Sequence, residues 1–146
     1  MLHDIKVDLA RYRQLLEKGD FFNTKVSQWS VRNHVEHVLI SNHSITNMIL
    51  KPDSDQKKYR RMTLLGRLIL AIGYIPRGQA QSPDFAKPKG LEINDLRRLG
   101  VEVLENFQRI EKLDNEDKLS KRKVGEHPYF GGLTPRHWLR MIDVHQ

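Results

Sequence analysis

"SVRNHVEHVLISNHSITNMIL" (Ser30–Leu50) decides the fold. Ser30 is an N-cap residue type. Behind it Val31, Val35, Val38, Leu39, Ile45 and Ile49 recur at helical spacing, which predicts a helix from Ser30 to about Leu50. "KPDSD" (Lys51–Asp55) closes it with turn residues. The same period recurs outward along the chain. His3–Glu17 carries Ile5, Leu9, Tyr12, Leu15 and Leu16, with Gly19 as a stop. Lys58–Tyr74 gathers Leu64, Leu65, Leu68, Ile69 and Ile72, and Glu92–Leu113 aligns Ile93, Leu96, Leu99, Val103, Phe107 and Ile110. Thr134 followed by Pro135 opens a last helix, on which Trp138, Met141, Ile142 and His145 share a side. No strand is expected.

Between these helices lies one long irregular stretch, "GYIPRGQAQSPDFAKPKG" (Gly73–Gly90). Loops of that length in a small domain serve function or are disordered. Long amphipathic helices without strands predict an all-α chain, a helical bundle in a single domain spanning residues 1–146. The final helix has no cap, glycine or proline after His145–Gln146, so the sequence reads as truncated within that helix.

With 38% hydrophobic and 29% charged residues, the chain has the composition of a soluble globular domain. No apolar run approaches the roughly 18 residues of a membrane span, and the N-terminus lacks a signal-peptide core. No membrane partner and a cytoplasmic setting are therefore expected. There is no cysteine, so a metal site must be built from His, Asp and Glu. The net charge of +7 suggests nucleic acid, but "KKYRR" (Lys57–Arg61) and "KLSKRK" (Lys118–Lys123) flank helices without any accompanying recognition motif. They read as solvated surface, and a nucleic-acid partner ranks last.

Seven histidines are the richest supply of chemistry. His3 lies near a terminus, and His43 and His137 fall on polar sides. His127, before Pro128, suits a turn or a cap. His34 and His37 sit three residues apart on one helix. Periodicity favours His34 as the more buried, because it borders the apolar stripe. The small Ser41 and Ser44 beside His37, however, leave room for something bulky. His145 is aimed at the core from the last helix. A chelating partner one turn later would lie past Gln146.

"WSVRNHVEHV" (Trp29–Val38) resembles the opening of the second helix in the DinB/YfiT superfamily, with His37–Val38 in the place of its His-aliphatic pair. "GYIPRGQAQSPDFAKPKG" is similar to the Pro-Arg-Gly loop of a DinB-like subfamily. "HPYFGGLTPRHWLRMIDVHQ" (His127–Gln146) resembles that subfamily's His-Pro-x-Phe-Gly-x-Leu-Thr stretch and final helix. The resemblance covers most of the chain. It implies an up-down-down-up four-helix bundle with an extra helix and a long loop, a homodimer, and a three-histidine metal site. His37 would be the ligand from the second helix and His145 the first from the last. The third would fall four residues beyond His145.

Three neutral imidazoles would leave a divalent ion an open position, as in catalytic sites. Zinc or nickel suits such ligands, and the ion would activate a water or a low-molecular-weight thiol. The resemblance thus implies a metal-dependent enzyme acting on a small-molecule substrate, a thiol-dependent transferase or hydrolase. Glu102 and Glu105 could assist the ligands or simply face solvent. Arg77 could recognise an anionic group or only pin its loop. The alternative is a non-catalytic homodimeric helical-bundle binding protein without metal.

Overall fold

The computed structural model describes residues 10–12, 14–17, 19, 21, 23, 25, 27, 29–51, 58–74 and 86–145. His3 and Arg77 lie outside the described residues, as does most of the Gly73–Gly90 stretch. The protein is mostly helical, with one small two-stranded sheet. Residues 10–12 and 14–16 are helical; Gly19, at positive φ, donates its N–H to the Leu16 carbonyl. The main helices are α1 (Val31–Leu50), α2 (Leu64–Ile72), α3 (Ile93–Asn115) and α4 (Pro135–His145). Strands β1 (Gly125–His127) and β2 (Gly131–Leu133) pair antiparallel between α3 and α4.

The starts of α1 and α4 follow the sequence, whereas that of α2 does not. Ser30 caps α1 through a reciprocal capping box with Asn33. Thr63 caps α2 by accepting the Gly66 N–H. The α2 helix is shorter than Lys58–Tyr74, because residues 58–63 run extended beside β2 instead. There the Gly132 N–H donates to Arg60 O at 3.2 Å and the Thr63 N–H to Phe130 O at 2.9 Å.

The core is made where α1 lies along α3. Val35, Leu39, Ile45 and Ile49 of α1 meet Leu96, Val103, Phe107 and Ile110 of α3 in one buried cluster. Trp138, Leu139, Met141 and Ile142 of α4 complete it. Between the two long helices Asn106 Nδ2 donates to Thr46 Oγ1 at 3.1 Å and to Asn47 Oδ1 at 3.2 Å. These paired polar groups fix the relative register of the two helices and satisfy the buried Asn106 amide.

The hairpin is the element missing from the sequence reading. Its strands are three residues each, too short for alternation to register, and two glycines occupy β2. What makes it is the turn. Gly131, at φ +76°, closes the Pro128–Phe130 loop in a conformation that side chains rarely adopt. A Cβ there would also collide with the Arg61 carbonyl. Gly131→Ala is therefore expected to destabilise the protein by about 2–4 kcal/mol, from left-handed strain plus displacement of the 58–63 segment. The shift in urea midpoint measures it.

Candidate functional site: a histidine cluster around an amide-bound glutamate

Glu36 is the most buried charged side chain described, at 0% exposure. Its carboxylate accepts three backbone N–H bonds, from Lys89 at 2.6 Å, Gly90 at 3.2 Å and Leu91 at 3.2 Å. Amide donors converging on a carboxylate compensate the loss of water that burial imposes. Arg32, one turn earlier on α1, donates to Leu91 O at 2.6 Å and lies 3.7 Å from Glu92. Together they fasten the strand of chain entering α3 against α1.

The same strand holds His37. The His37 Nδ1–H donates to Ala86 O at 2.6 Å, in a buried contact. With Nδ1 engaged by that carbonyl, Nε2 is the ring nitrogen left to meet a ligand. A backbone carbonyl orienting a histidine in this way is the usual support behind a metal ligand. His37 is 7% exposed, whereas His34 is exposed. The expectation from periodicity that His34 is the more buried is therefore corrected. The wheel counted only apolar neighbours on α1, while the Ala86–Leu91 strand and α4 cover the face that carries His37. Trp29 sits against both rings, at 5.4 Å from His34 and 5.2 Å from His37.

Across from His37, α4 brings His145, with ring centroids 5.2 Å apart and planes at 59°. Two imidazoles sharing one tetrahedral ion at metal–nitrogen distances of 2.0–2.1 Å place their centroids about 5 Å apart. The observed separation matches. His145 is exposed as a whole residue. Even so, desolvation of its packed side holds its pKa below the ordinary histidine value, and the charge His37 would carry adds to the effect. Both causes favour the neutral form, the one that binds metal.

A third imidazole lies nearby but is otherwise engaged. His127 Nδ1 accepts the backbone N–H groups of Tyr129 and Phe130, each at 3.3 Å, so the ring serves the hairpin turn. It stacks on Phe130 at 4.3 Å and lies 5.9 Å from Trp138. Burial lowers its pKa to about 4, with the His145 charge as the lesser cause. Among the described residues no three His, Asp or Glu side chains converge as a metal-ligand set. His37 and His145 thus fit two positions of such a site, and the described residues leave the rest open.

The remaining candidates lie elsewhere. Glu102 approaches His43 at 3.2 Å on the surface and Glu105 is exposed, so neither supports the His37–His145 pair. His137 Nδ1 is 2.9 Å from Thr134 Oγ1 at the start of α4. A surface depression lined by Glu17, Arg97, Arg98 and Val101 contains no histidine. Glu36 carries no sequence signal of its own, because a lone Glu on a helix is ordinarily a solvated face residue. The available signal was "KPKGLE" (Lys87–Glu92), a run of backbone amides ahead of a helix.

Comparison with known families, with curated proteins and with solved structures gives no match.

Two predictions test this geometry. Glu36→Ala leaves three buried amides without an acceptor and is expected to cost about 3–5 kcal/mol of stability, read from urea unfolding. His127 has a folded pKa near 4, below the unfolded value of about 6.5, so the unfolded chain takes up the proton first. Its contribution is then fully present above about pH 6.5 and is lost as pH falls toward 4. Allowing for screening at its open edge, the expected loss is on the order of 1–2 kcal/mol. The slope of stability against pH across that window should flatten in His127→Gln.

Proposed function

We propose that the chain is a metal-dependent enzyme of the DinB/YfiT type, an up-down-down-up four-helix bundle whose metal site includes His37 and His145. The observation that carries the reading is the pair itself. One ring is oriented by Ala86 O so that its Nε2 is free, and the second is held 5.2 Å away. A divalent zinc or nickel ion bound there would supply Lewis acidity, lowering the pKa of a bound water or thiol toward neutrality. The chain's own part is to hold both imidazoles in place. Ala86 O orients His37, and the Glu36 cradle fixes the strand that bears Ala86. Desolvation holds the proton off His145.

Two imidazoles alone bind weakly, so a further ligand completes the site in this reading; the resemblance puts it one turn past His145. The reaction class is transfer to, or hydrolysis of, a small electrophilic substrate, with a low-molecular-weight thiol as cosubstrate and a cytoplasmic setting.

The alternative, a non-catalytic homodimeric bundle, draws support from the lack of a third ligand among the described residues. Elemental analysis of the natural gene product separates the two. About one equivalent of transition metal, lost in His37→Ala and kept in His34→Ala, is the expected outcome. No metal after incubation with zinc or nickel would sink the enzyme reading.

A further inference from the structure

Helix α2 is apolar on both sides. Gly66, Ile69 and Leu70 face inward and are buried. On the opposite side Leu64, Leu65, Leu68 and Ile72 fall within one third of the helical circumference, and they are exposed by 82%, 53%, 58% and 65%. Tyr74 continues the patch at 62% exposure. Single exposed leucines are ordinary, whereas a contiguous apolar ridge marks a contact surface.

Within the segment that bears the ridge the charge is of one sign. Lys58–Tyr74 contains four basic residues and no acidic one. Arg60 is paired with Glu126, but exposed Lys58, Arg61 and Arg67 form no ion pair with a described residue. Arg61 lies just before the helix, and Arg67 borders the side on which Leu64 and Leu68 stand.

Three occupants can be weighed. A second copy meeting this ridge across a two-fold axis would set the same basic residues against each other. A nine-residue helix is also only about 14 Å long, too small alone for the roughly 800 Å² per partner of a stable protein interface. A peptide partner needs a groove, and this surface is a convex ridge. A lipid surface needs neither area nor shape complementarity, only apolar side chains that enter the headgroup region and cations around them.

We propose that α2 is a peripheral membrane contact, seating Leu64, Leu65, Leu68 and Ile72 in the interface of an anionic bilayer, with Lys58, Arg61 and Arg67 on the lipid headgroups. No helix among the described residues is long and apolar enough to cross a membrane. The expectation of no membrane partner rested on the missing span; lying on a surface requires none. This inference is independent of the metal site.

Cosedimentation with vesicles of phosphatidylcholine alone, or mixed with phosphatidylserine, tests it on the full chain. The expected result is binding to the mixed vesicles only, weakening as salt rises. Leu64→Ser/Leu68→Ser and, separately, Arg61→Gln/Arg67→Gln should each lower binding about tenfold with the helical circular dichroism unchanged. His37→Ala should bind as the parent chain does. A chain that stays in the supernatant, or variants that bind equally well, would overturn the proposal. So would concentration-dependent dimerisation abolished by the leucine variant, which would give the ridge to a second copy.

Discussion

The contact on which the rest depends is the Glu36 carboxylate held by the amides of Lys89, Gly90 and Leu91. A carboxylate removed from water is costly unless its lone pairs are filled by donors that need no reorganisation. Backbone N–H groups meet that condition, since the chain itself fixes their direction. The consequence reaches both ways along the sequence. Toward the C-terminus, it sets where α3 begins and so how α3 lies against α1. Toward the N-terminus, it leaves Ala86 O where His37 Nδ1 can reach it. One buried side chain thus positions a helix and the His37 imidazole together.

The hairpin plays the complementary part toward the C-terminal end of α1. Gly131 and Gly132 allow β2 to approach the 59–62 backbone closely, and a Cβ on Gly125 would strike Met48 of α1. That close seating delivers α4 with Trp138, Met141 and Ile142 turned into the core and His145 opposite His37. His127, stacked on Phe130 and accepting two turn amides, ties the hairpin's geometry to the same cluster. His127 and His145 resist protonation, because desolvation and the charge of a neighbouring histidine act in one direction on each.

Much of this was legible in the residues. The Ser30 cap, the α1 and α3 stripes and the Thr134–Pro135 opening of α4 are local, and local signals survive into the structure. The period of α4 puts His145 on the side of Trp138, Met141 and Ile142, but the core position expected from it is not reached, since His145 is exposed. The choice between His34 and His37 does not follow from period either, because periodicity on one helix reports only that helix's own apolar residues. Leu64, Leu65, Leu68 and Ile72 read as core for the same reason, yet α2 buries its other side. The exposed ridge could be found only by knowing which side the body of the protein occupies.

What the sequence determined by itself was therefore the set of helices, the limits of α1, α3 and α4, and the residue types from which a metal site could be made. Hydrophobic period, caps and turn residues act over a few positions, so they are written where they act. The tertiary structure alone decided that Glu36 is a buried anchor rather than a surface charge, that His37 is covered and His34 open, and that α2 turns leucines outward. Each of those outcomes depends on groups brought from about 50 to over 100 positions away along the chain. No local pattern encodes which backbone amide or carbonyl will arrive there.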